Sequence, residues 1–183
     1  MKALLLSLFA FLAVSVLGIS NIHAQTLTLK NLIVIYGRAD LRLIDRYLTD
    51  LGWKAGKSNQ TESVGQVIWV RKHPNNSVDD NATLSVLFCN SCSNKFCPDC
   101  AAHDDSSGRG HAFRIIYRPI SSQAFLQIKR SAEMKNMVST TSLHERNLRV
   151  AYVGTTYELD LNTYSQKGRS SPEYLIELVQ KPK

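Results

Sequence analysis

Two stretches of this chain, set 84 positions apart, carry the same pattern. At that spacing Ile44 falls on Ile128, Arg46 on Arg130, Leu48 on Ala132, Gly52 on Asn136 and Trp53 on Met137. One position closer, Val67-Ile68-Trp69-Val70 falls on Val150-Ala151-Tyr152-Val153. The Gly52/Asn136 match constrains most. Glycine and asparagine are the two residues that most readily take a left-handed helix cap, so both stretches predict a helix that ends in the same way. A self-similar period of this kind points to two copies of one supersecondary unit.

The elements between these anchors follow the same logic. Leu27, Leu29 and the run 32–36 are apolar but do not separate a buried strand from a short helix. Over residues 39–51, Leu41, Ile44, Leu48 and Leu51 form one helical stripe, with Arg42, Asp45, Arg46 and Asp50 off it. Gly52 stops that helix, Trp53 is expected to fold back on its end, and residues 54–63 read as a polar loop. Residues 66–71, 83–88 and 112–117 read as strands, rich in β-branched and aromatic residues. Ser121 or Ser122 caps a second helix through Phe125, Ile128, Ala132 and Met134. Strands over 148–153, 157–161 and 174–179 complete the chain. The expected fold is α+β: tandem helix-plus-three-strand units, 38–118 and 119–181, with helices packed on antiparallel sheet and a cysteine-rich loop between strands.

Residues 1–24 have the form of a secretory signal peptide. Lys2 precedes a long uncharged apolar run, and Ile22-His23-Ala24 supplies a small-residue cleavage site before Gln25. The expectation is a secreted or periplasmic protein, residues 25–183 forming a single domain with no transmembrane segment after cleavage. The formal net charge is +7, but the basic residues are scattered, with Arg71-Lys72 and Lys129-Arg130 the longest runs. Nucleic-acid binding asks for clustered basic residues interleaved with aromatics, so no nucleic acid is expected. Attraction to an anionic envelope polymer stays open.

All four cysteines lie in one stretch, Cys89, Cys92, Cys97 and Cys100, with the spacing C-x2-C-x4-C-x2-C. Three chemistries fit. Four thiolates can hold one zinc ion tetrahedrally, although the central spacer is short for that. Nested disulfides, Cys89–Cys100 and Cys92–Cys97, are symmetric about the middle of the loop and suit an oxidising compartment. Cys97-Pro98-Asp99-Cys100 also has the form of a redox dithiol, but without the strand–helix setting such dithiols use. His103 and His111 flank the loop and can complete a metal site with some of the cysteines. In each structural version the cysteines staple a long connection between two strands.

No catalytic constellation stands out. Gly52-Trp-Lys-Ala-Gly56-Lys57-Ser58 has three residues between its glycines where a phosphate-binding loop needs four, and a helix precedes it where a strand should. Asn59, Asn75 and Asn81 open glycosylation sequons that matter only in a eukaryotic secretory pathway. The signal peptide, the helix ending in Leu51-Gly52-Trp53 and the following strand centred on Trp69 resemble the small exported proteins of unknown function of Bacteroidetes-type bacteria. The resemblance covers residues 1–72 and implies no catalytic residue or cofactor. Two functions are therefore expected in competition. One is a non-catalytic exported domain that binds a protein or envelope partner. The other is a metal-binding or thiol-redox protein acting through the Cys89–Cys100 loop.

Overall fold

The computed structural model describes residues 26–38, 40–60, 64–72, 81–89, 112–144, 147–165 and 172–181. Three helices and eight strands occupy them. The helices are α1 (Leu29–Tyr36), α2 (Leu41–Asp50) and α3 (Ser122–Met134). The strands are β1 (Lys54–Gln60), β2 (Val64–Arg71), β3 (Ala82–Cys89), β4 (Ala112–Arg118), β5 (Val138–His144), β6 (Asn147–Val153), β7 (Tyr157–Tyr164) and β8 (Glu173–Gln180). All eight join one antiparallel sheet in the order β1-β2-β3-β4-β8-β7-β6-β5. The α+β class expected from the sequence is what the fold shows.

The expected strand count needs correction. Four strands, not three, follow each of α2 and α3. The two unexpected ones, β1 and β5, are the outer strands of the sheet. All seven side chains of β1 are exposed, as are those of residues 138–143 in β5. These strands are held by backbone pairing to one neighbour, and a strand with no buried face leaves no alternation to read. The run 27–36, open between helix and strand, forms α1. Thr28 caps it by accepting from the Asn31 amide at 3.2 Å, and Asn31 Nδ2 donates to the Tyr47 hydroxyl at 2.6 Å, which ties α1 to α2.

The core lies between the helices and one face of the sheet. Paired positions share a face. Trp69–Leu84–Tyr117–Ile176–Leu161 and Val86–Ile115–Leu178–Leu159–Tyr152 are two rows of paired, buried residues running across the strands. Leu29, Leu32 and Ile35 of α1, Ile44 and Leu48 of α2, and Phe125, Ile128 and Ala132 of α3 pack into the same cluster. Among the described residues no helix is long and apolar enough to cross a membrane.

The two helix ends predicted to match do so. Gly52 and Asn136 are the described residues with positive φ, +80° and +54°. At the first, Trp53 N–H donates to Leu48 O at 2.9 Å and Gly52 N–H to Thr49 O at 2.8 Å; at the second, Met137 N–H donates to Ala132 O at 3.4 Å and Asn136 N–H to Glu133 O at 3.0 Å. Both are Schellman caps. They turn Trp53 and Met137 back toward the core, where Trp53 is buried and Met137 half-buried.

Candidate functional site

Of the six residues the sequence singles out as candidate metal ligands, Cys89 alone falls among the described ones. It ends β3 opposite Val64, on the sheet face away from the helices. Its side chain is fully buried and its sulfur is disulfide-bonded. The bonding partner, and Cys92, Cys97, Cys100, His103 and His111, lie outside the described residues. Among the described residues no group of three or more histidine, cysteine, aspartate or glutamate side chains is placed to hold a metal.

Two other regions present functional chemistry. The first is a groove of about 580 Å³ between α2 and the β1–β2 edge. Trp69 lines its floor. The indole is 1% exposed, and its Nε1–H donates to Asp45 Oδ1 at 2.8 Å. Arg42, Arg46 and Asp50 line the helix side; Gly56 and Ser58 line the strand side. Gly56 lies where the β1–β2 register shifts, between Ala55 and Ser58, and a Cβ there would come within 3.0 Å of the Ile68 carbonyl oxygen. Guanidiniums and carboxylates alternate along the helix side of this groove, and the Thr49 and Ser58 hydroxyls also line it. The Trp69–Asp45 bond ties α2 to β2 across its floor. Asp45 is off the apolar stripe of α2, so nothing in the residue pattern signals its bond to Trp69, 24 positions on.

The other helix repeats the contact with different partners. The Tyr152 hydroxyl donates to Glu133 Oε1 at 3.1 Å, and burial followed by this bond pushes the phenol up to about 12. Arg71, at the end of β2, donates to the Leu51 carbonyl at the C-terminus of α2. A cation there complements the helix dipole and satisfies a terminal carbonyl.

The second region is the sheet face away from the helices. A row of paired residues crosses it from strand to strand: Ile68, Ser85, Ile116, Glu177, Asp160, Ala151 and Thr140. Val70, Leu175 and Val179 add half-buried aliphatic surface, and Arg114 and Arg118 stand exposed beside Ile116. Asp160 and Glu177 sit directly opposite each other, a repulsive pairing that Arg149 offsets by donating to Asp160 at 2.6 Å. That bond raises the Arg149 pKa further above its ordinary value. Glu158, two positions from Asp160 on β7, projects from this same face.

No family model, no curated protein and no solved structure matches this chain.

Proposed function

We propose that this protein is an exported, non-catalytic α+β binding domain that holds a protein or envelope partner on the sheet face opposite its helices. The observation that carries this reading is the composition of that face. Half-buried isoleucine, valine and leucine are interspersed with Arg114, Arg118 and Arg149, and no described helix lies over them. Protein-binding surfaces favour this mixture, in which aliphatic area supplies the driving force and arginine outnumbers lysine. On this reading the chain is a duplicated unit, now counted as helix plus four strands. The matching Schellman caps and the Trp69/Tyr152 correspondence support the duplication. Export is supported by where packing begins. Leu27, Leu29 and Leu32 are core residues, so residues a few positions after the expected cleavage at Ala24 already belong to the packed core.

The cysteine loop belongs to the scaffold in this proposal, with Cys89–Cys100 and Cys92–Cys97 as its disulfides. The disulfide at Cys89 favours this over a four-thiolate zinc site. A thiol count and metal analysis of protein taken from the exported fraction tests it. Zero free thiols without metal supports the scaffold role. Four free thiols with zinc removed by chelator would restore the metal reading, and four free thiols without metal the redox one.

The binding face is tested by placing a photo-crosslinking amino acid at Ile116 and, as a control, at exposed Lys135. A discrete crosslinked species at 116 that Arg114→Glu abolishes supports the proposal. Equal labelling at both positions would refute it.

A further inference from the structure

The two outer strands of the sheet differ in how they meet solvent. β1 carries Lys54 and Lys57, and its register with β2 breaks between Ala55 and Ser58. Lysines and a bulge are the devices that stop an edge strand from pairing with another chain. β5 has neither. Its seven residues pair with β6 without a break, and from Asn136 to Leu143 the sequence carries no charge and no proline. Of the large apolar side chains that are exposed, Met134, Val138, Leu143 and Leu148 gather at this edge, at 78%, 69%, 75% and 41% exposure.

The hydrogen-bond phase of β5 follows from its neighbours. Gly154 N–H donates to Tyr157 O at 2.9 Å, which makes that opposed pair the bonded one at the β6–β7 turn. Bonded and non-bonded pairs alternate along an antiparallel ladder. Tyr152 therefore bonds toward β7, while Val153, Ala151, Arg149 and Asn147 bond toward β5. Their partners there are Val138, Thr140, Ser142 and His144. The N–H and C=O groups of Ser139, Thr141 and Leu143 consequently point out of the sheet.

We infer that β5 pairs with β5 of a second copy of this chain, antiparallel, about a two-fold axis at Thr141. Only a register that opposes odd positions to odd positions joins outward-facing groups. The one centred on Thr141 sets Ser139 against Leu143 of the second copy and Thr141 against itself, so that all six outward backbone groups are bonded. No charge meets its like across the axis, which few surfaces of a chain with net charge +7 would allow. Helices stay on one side, and the two sheets become one. A single strand pairing buries less than the roughly 1,200 Å² of a standard interface, so the dimer is weak and concentration-dependent.

Sedimentation velocity of the purified chain over a wide concentration range tests this, together with amide hydrogen exchange. The expected result is a monomer–dimer equilibrium in which Ser139, Thr141 and Leu143 amides gain protection as concentration rises, while Thr140 and Ser142 are protected throughout. Thr141→Pro removes an outward N–H that the β5–β6 ladder does not use, so the monomer should stay folded while dimer dissociation rises by about ten-fold or more. Thr141→Lys opposes two ammonium groups at the axis and should act in the same direction; Ser58→Lys on β1 should change nothing. A chain that stays monomeric at every concentration overturns the inference, as does a dimer indifferent to both Thr141 substitutions. Protection of these three amides only on adding a host protein would give the edge to a different strand, and also overturns it.

Discussion

Replacing Trp69 by alanine should cost about 3–5 kcal/mol, and the indole N–H should account for a separable part of that. The ring is 1% exposed and packs between α2 and the sheet, so truncation leaves a cavity as well as losing the transfer free energy of the ring. The polar part rests on the 2.8 Å bond to Asp45, which is half-buried, so water can replace one partner once the other is gone. Trp69→Phe keeps most of the apolar area and deletes the donor, at a cost of about 1–2 kcal/mol. Asp45→Ala should cost about 1 kcal/mol in the native background and close to nothing in the Trp69→Phe background. The coupling between the two sites is then about 1 kcal/mol, read from urea unfolding followed by circular dichroism, with m unchanged across the four proteins. A Trp69→Ala loss below about 1 kcal/mol would mean that the ring is exposed and does not hold α2 to the sheet. Additive single effects would mean that the Asp45 bond contributes nothing.

Three further outcomes are expected. Gly65 faces Phe88 across β2–β3, and a Cβ at Gly65 would fall inside contact distance of the ring; Gly65→Ala should therefore cost about 1–3 kcal/mol in thermal unfolding, and adding Phe88→Leu should restore part of it. At the helix caps, Asn136→Gly should be neutral or stabilising and Gly52→Ala should cost about 1–2 kcal/mol, because Gly52 has φ +80° and the Arg71 guanidinium stands 3.1 Å from where the methyl would go; chemical denaturation of both variants compares them, and equal effects would show the caps to be unimportant. Burial raises Tyr117 to about 12 against an ordinary value near 10, outweighing the Leu27 N–H bond and the nearby Arg71 cation, both of which lower it. The folded chain thus holds this proton more tightly than the unfolded one. Stability is intact below pH 10 and falls by about 2–3 kcal/mol as pH rises through 12, and Tyr117→Phe should flatten that fall; unfolding midpoints measured across this window would refute it by showing the same slope in both proteins.

What could be read from the sequence depended on how few residue types a position tolerates. A left-handed backbone admits glycine and asparagine and little else, so Gly52 and Asn136 announced two equivalent helix ends. The stripes Leu41–Ile44–Leu48 and Phe125–Ile128–Ala132 fixed the helix faces for the same reason, since each position must be apolar. The outer strands had no such constraint. Lys54–Gln60 and Val138–His144 are strands because a neighbour offers a ladder, and their side chains, which face water, were free to read as loop. The α1 segment was ambiguous for the opposite reason: nearly every position is apolar, and periodicity cannot choose between folds when nothing interrupts it. For Cys89 the sequence placed a cysteine at a strand end, and the fold buries it on the sheet face away from the helices with its sulfur in a disulfide.

The order of the strands in the sheet has a consequence for synthesis. β4 lies in the middle of the finished sheet, but its partner on one side is β8, made last of the eight. Throughout the synthesis of β5, β6 and β7, the inner edge of β4 stays bare, and Ile115 and Tyr117, which end with no exposure, lack the neighbours that later enclose them. Long-range pairings of this kind form late and slowly, and an unpaired interior edge is the surface through which incomplete chains aggregate. On the export proposed above, the chain would begin its maturation on the far side of a membrane in that condition. Its yield should therefore depend less on its final stability than on how long the gap beside β4 stays open, and on whatever shields it until β8 arrives.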